Sequence, residues 1–172
     1  MESERGSVLH GLLALINGRE RVEGRIRLQK EAYLLGLKGY RRFPPKRFIF
    51  YYYGPYSREV SDALHFGVVS NLIEELEEDI SGKRRYSYRL TEEGRDWLDS
   101  ETDASDKLVD EYRATMRAAP WRALELAASA VFLERVGEAS DREMAFSKAL
   151  ALKPDCKPFQ DDARRVLREL KL

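Results

Sequence analysis

The sequence predicts an α+β fold that is mainly α. Stretches with helical apolar spacing recur along the 172 residues, three short segments in the first hundred read as strands, and everything past residue 106 has a helical pattern.

Leu9, Leu12, Leu13 and Ile16 space a first helix over Val8 to Ile16, closed by Asn17-Gly18. A second, amphipathic helix runs from Arg25 to Leu37, with Ile26, Leu28, Ala32, Leu35 and Leu37 among charged residues and with Gly36 and Gly39 as stop signals. The next segment, KGYRRFPPKR, is basic and contains Pro44-Pro45, which forbids helix and marks a loop. Phe48 to Tyr53, FIFYYY, is an aromatic and β-branched run of strand length that stops at Gly54-Pro55. Ser57 caps a helix from Arg58 to about Asn71, whose Val60, Ala63, Leu64, Val68 and Leu72 form one stripe. Leu72 to Ile80 fits either an extension of that helix or a strand. The Ser81-Gly82 pair and the alternation of Tyr86, Tyr88 and Leu90 favour a hairpin turning at SGKRR. Thr91 caps a short helix, TEEGRDWL.

Asp99 to Asp106 is polar, acidic and free of large apolar residues, so it reads as a linker between a domain over 1–99 and a helical region over 106–172. Four helices follow: Lys107 to Ala118, Pro120 to about Val136, Asp141 to Leu152 and Phe159 to Leu170. Pro120 suits a first helical turn, and Pro154 and Pro158 bracket a tight connection.

Lys plus Arg and Asp plus Glu both number 30, and the resulting zero net charge removes any bulk electrostatic pull toward nucleic acid. Any such role rests on local patches. One cysteine excludes an intramolecular disulfide, and two distant histidines offer no zinc spacing; no metal and no cofactor are expected. The apolar run from Leu12 to Ile16 is too short for a signal sequence or a membrane span, so the expected location is the cytoplasm.

Helix, helix, strand, helix and two-stranded wing is the order of a winged helix-turn-helix domain, here with a C-terminal helical extension. The segment YSYRLTEEGRDWL resembles the last wing strand and following helix of many winged-helix regulators, in which an LTxxG string ends the wing; here these are Leu90, Thr91 and Gly94. RLQKEAYLL at Arg27 to Leu35 and YGPYSREV at Tyr53 to Val60 resemble motifs of the prokaryotic, phage-associated YwgA-like and Panacea (SocA antitoxin-like) proteins. The resemblance covers roughly residues 8 to 98. It implies a winged-helix-like domain with a long insertion before its third helix, linked to toxin neutralisation or phage defence. The FIFYYY strand and the helical extension depart from the usual antitoxin pattern.

Two roles follow. The first is a non-enzymatic, double-stranded DNA-binding transcription regulator, because a winged helix sets one helix in the major groove and its wing on the backbone. Its contacts are Arg58, Ser61 and His65 on the helix and Lys83, Arg84, Arg85 and Arg89 on the wing. Residues 19–47 add ten cations against three carboxylates, a patch that either meets phosphate or solvates the surface around an aromatic strand. Against DNA, the stretch from Glu59 through Asp79 has seven carboxylates and no Lys or Arg.

The second role is a module that binds a protein, a toxin or a defence-complex subunit, through Tyr40, Phe43, Tyr51, Tyr53 and Tyr56. The competing expectation is that most of these rings are core, above all Phe48, Phe50 and Tyr52. Leu124, Ala127, Ala128, Val131 and Phe132 form a stripe for packing on the winged helix or for a homodimer. Ser57, Ser61 and His65 share a helical spacing, but Asp62 points elsewhere and no phosphate loop accompanies them, so catalysis is not expected. Cys156 reads as a small buried hydrophobe.

Overall fold

In a computed structural model, residues 2–101 and 103–172 are described, with side chains from Ser7 onward. The chain is α+β with eight helices among these residues: α1 (Glu2–Ile16), α2 (Arg25–Leu37), α3 (Arg58–Val69), α4 (Glu92–Ser100), α5 (Lys107–Ala118), α6 (Trp121–Arg135), α7 (Arg142–Leu152) and α8 (Gln160–Glu169). The strands are β1 (Val22–Glu23), β2 (Ile49–Tyr51), β3 (Gly54–Tyr56), β4 (Ile73–Ile80) and β5 (Lys83–Leu90). Single 3-10 turns occupy Pro45–Arg47, Ala104–Asp106 and Pro154–Phe159.

Leu72 to Ile80 does not extend the helix. β4 and β5 form a long antiparallel hairpin whose turn holds Ser81 (φ 56°) and Gly82 (φ 77°) at positive φ, as the two-residue turn matching strand twist requires. β1 pairs with β5 from Val22 to Tyr88, giving the sheet order β1-β5-β4. Gly54-Pro55 does not end the aromatic strand as expected. It starts β3, which folds back on β2 as a second hairpin in the register Ile49 to Tyr56.

The C-terminal helices share one contiguous core with the first hundred residues. α6 is its axis: ten of its fifteen residues are buried, from Ala123 to Leu133, against α2, β3, α7 and α8. A helix apolar on all sides is one surrounded on all sides. Of the stripe, Leu124, Ala127, Ala128 and Val131 are buried and Phe132 partly so, in accord with the packing alternative.

The segment expected as a linker is helical to Ser100 and then anchored. Asp106 accepts a hydrogen bond from Tyr40 Oη at 2.6 Å and lies 2.7 Å from Nε2 of the buried His10, while Asp103 pairs with Arg42 at 2.5 Å. Arg27 crosses between the two regions to donate to the carbonyls of Met116 and Ala119.

Candidate interaction surface

The hairpin β2–β3 projects aromatic side chains from a base gripped by buried polar groups. Gln29 on α2 makes a reciprocal pair with the backbone of Ser57: its Nε2 donates to Ser57 O at 2.9 Å, and its Oε1 accepts from Ser57 N at 2.8 Å. Next to it, Lys30 donates from Nζ to Pro55 O at 2.7 Å. From the opposite side Lys153, between α7 and the following 3-10 turn, donates to Tyr52 O at 2.8 Å and to Glu125 Oε1 at 2.9 Å. Both lysines are almost fully buried, so their ammonium groups have exchanged water for main-chain carbonyls and one carboxylate. Burial pulls Lys30 down to about 7; Glu125 opposes that shift and Lys153 adds to it. Burial likewise pushes the Cys156 thiol up to about 11, with the Glu125 charge assisting and Arg122 opposing.

Gly54 completes the seat. Its φ is +88°, and a Cβ there would lie 2.3 Å from Ser129 Oγ on α6, so only glycine lets the turn sit this low. With the base fixed, Phe50 packs its ring 5.6 Å from Phe132, while the tip faces water: Tyr52 is 80% exposed, Ile49 61%, Tyr51 53% and Tyr53 52%. Tyr51 stacks at 5.5 Å on the half-buried Tyr56.

This corrects the aromatic expectations in both directions. Tyr40 and Phe43 cannot meet a partner, because each is 1% exposed: the loop after α2 folds inward, and their rings pack on each other at 5.3 Å. Tyr52, expected in the core, is the most exposed ring of the tip; Phe48 is buried and Phe50 partly so. Glu125 and Lys153 were not singled out in the sequence. The signal was a lone carboxylate inside the apolar run LELAASAVFL, which must find a cation once buried.

The basic features are largely neutralised within the chain. On the β4–β5 hairpin, Arg84 pairs with Glu77 at 3.3 Å, and Arg89 pairs with Glu74. Behind them, Arg25 donates to Tyr88 Oη at 2.7 Å and to Glu75 at 2.9 Å, and Arg21 reaches Glu78 at 3.4 Å. Lys83 and Arg85 are exposed at the tip, yet the register sets Arg85 opposite Glu78 and Arg84 opposite Asp79. In the run from 19 to 47, Arg19 and Arg27 both pair with the buried Glu31, Lys30 is inside, Arg42 holds Asp103 and Arg47 lies 2.6 Å from Glu59. Arg41 and Lys46 remain at the surface.

On α3, Arg58 lies 3.6 Å from Asp62 one turn on, Ser61 is half-buried and His65 is exposed. Ser57 is buried as the cap that accepts from Val60 N. The same helix exposes Phe66 (57%) and Val69 (71%), an apolar face that phosphate would not seek. An open groove of about 620 Å³ between α3, β4, β5 and α4 is walled in part by the paired Glu74 and Arg89. No helix among the described residues is long and apolar enough to cross a membrane.

No family model matches the chain. Over 164 residues it is 27% identical to the uncharacterized protein YwgA of Bacillus subtilis (strain 168), a similarity that spans 93% of this chain and 94% of that protein. The likeness thus runs through the C-terminal helices as well as the first hundred residues.

Proposed function

We propose that this chain is a non-enzymatic protein-interaction module on a winged-helix scaffold, with the hairpin β2–β3 as its contact surface. The carrying observation is the exposed cluster Ile49, Tyr51, Tyr52 and Tyr53 on a turn fixed from beneath by Gln29, Lys30 and Lys153. Tyrosine offers large contact area with little side-chain entropy to lose, and a fixed backbone lowers the ordering cost of binding. A bound toxin or defence-complex subunit is the partner class that the resemblance to SocA-like antitoxins implies.

The experiment is affinity capture from the native host with the full chain and with a variant carrying Tyr51→Ser, Tyr52→Ser and Tyr53→Ser. The module reading expects a stoichiometric protein that the variant loses while it keeps a cooperative melting transition, because the hairpin is held through the main-chain carbonyls of Tyr52 and Pro55. Recovery of the same protein by both chains, or of none, would overturn it.

A DNA-binding transcription regulator is the second reading, favoured by the sheet order β1-β5-β4 beside α3 and by the exposed Lys83 and Arg85. Titration of random duplex at about 50 and 200 mM salt discriminates, since several phosphate contacts make affinity fall steeply with salt. Steep, salt-dependent binding abolished by joint Lys83→Glu, Arg84→Glu and Arg85→Glu would favour the regulator; weak binding indifferent to them favours the module.

A further inference from the structure

We infer that the outer edge of β2 receives an extended, acidic segment of the partner protein, added to the hairpin as a third strand. This rests on the interaction-module reading and specifies what the module holds. β2 and β3 form a sheet of two strands, in which β3 packs against α2 and α6 and β2 is the outer strand. Exposed edges are ordinarily blunted by shortness, charge, proline or a bulge. β2, Ile-Phe-Tyr, is short but carries no charge and no proline, and its side chains Ile49 and Tyr51 are both more than half exposed. Main-chain pairing to such an edge supplies affinity while alternate side chains supply selectivity.

The charge around the edge selects the sign of the occupant. From Ala32 through Arg58 there are six cations and no carboxylate; Arg47 and Arg58 face Glu59 and Asp62, while Arg41 and Lys46 are exposed and supply the charge toward a partner. The nearest carboxylates in sequence, Glu31 and Glu59, are held by Arg19 with Arg27 and by Arg47. A segment that alternates acidic and apolar residues meets both features: its apolar side chains lie beside Ile49 and Tyr51, and its carboxylates meet Arg41 and Lys46.

The test is fluorescence anisotropy of the full chain with a labelled twelve-residue peptide alternating Glu and Val. Controls are a Lys-for-Glu peptide, two peptides backbone-N-methylated at either the Val or the Glu amides, and oligo(dT). An added strand aims only alternate amides at its neighbour, so one methylated peptide should bind about tenfold more weakly and the other like the parent. The Lys peptide, and the Glu peptide on a chain with Arg41→Glu and Lys46→Glu, should each lose about tenfold as well. Equal binding of both methylated peptides, equal binding of the Lys peptide, tighter binding of oligo(dT), or no peptide binding would each overturn the inference. If the native partner still depends on Tyr51 to Tyr53 when these peptides fail, this inference falls and the module reading stands; loss of both removes both.

Discussion

Lys30 is the residue at which solvation and function pull hardest against each other. In the folded chain its ammonium has little water, and its pKa falls from the ordinary 10.5 to about 7. The unfolded chain keeps the ordinary value, so between these limits unfolding takes up a proton and stability rises with pH, by at most about 1.4 kcal/mol per pH unit. Cys156 acts in the opposite sense above pH 9, because its folded thiol titrates near 11. Urea titrations between pH 7 and 9 should therefore show increasing stability, and Lys30→Met should flatten that slope. Two glycines give complementary predictions. Gly54→Ala places a methyl against Ser129 Oγ at a positive φ and should cost roughly 2 kcal/mol. Gly94→Ala should cost at least as much: a Cβ there would sit 2.0 Å from Leu72 O. That contact gives the LTxxG string its physical reason. Thr91 Oγ1 donates to Asn71 O and accepts from Gly94 N, and the missing Cβ lets α4 close onto the end of the α3–β4 connection.

Among the elements, the β4–β5 hairpin carries its own counterions. Glu74→Gln, Glu77→Gln and Glu78→Gln together should leave the urea midpoint nearly unchanged, since exposed pairs contribute little. The same change should raise affinity for random duplex and steepen its salt dependence by unmasking Arg84 and Arg89, a gain that anisotropy would read directly. How much was legible in the sequence also depends on the element. α2 is bounded to the residue because periodicity and flanking glycines agree, and the β4–β5 hairpin is visible in Ser81-Gly82 followed by alternating residues. β1 has two residues and leaves no periodicity to read. β3 was hidden because Gly54-Pro55 signals a stop in local terms, whereas here its glycine is selected by contact with α6. Tyr40 and Phe43 misled for a related reason: they lie in a Gly, Pro and Arg loop, and their burial follows from the loop turning back over Gly11 and Gly36, whose missing side chains make room for Phe43. The excess of cations in the basic run is plain in the sequence, but their ion pairs with Glu31, Glu59 and Asp103 are geometry that sequence proximity does not reveal.

For the whole molecule, the shared core predicts cooperative unfolding. Trp97 on α4 and Trp121 on α6 sit on either side of the anchored Asp103–Asp106 segment, so Trp97→Phe and Trp121→Phe leave one reporter on each side. Denaturant curves from the two variants should coincide with each other and with circular dichroism; separated midpoints would show that the regions unfold independently. Fragment 1–100 lacks α6, against which α2 and β3 are buried, and should show no cooperative transition. The grip on the hairpin has a consequence for how such a surface can change. Lys30 and Lys153 hold carbonyl oxygens, and those oxygens are the same whichever amino acid supplies them. Residues at positions 51, 52 and 53 can therefore be exchanged without unfastening the turn, so recognition can drift, or be redesigned, on a foundation that stays put.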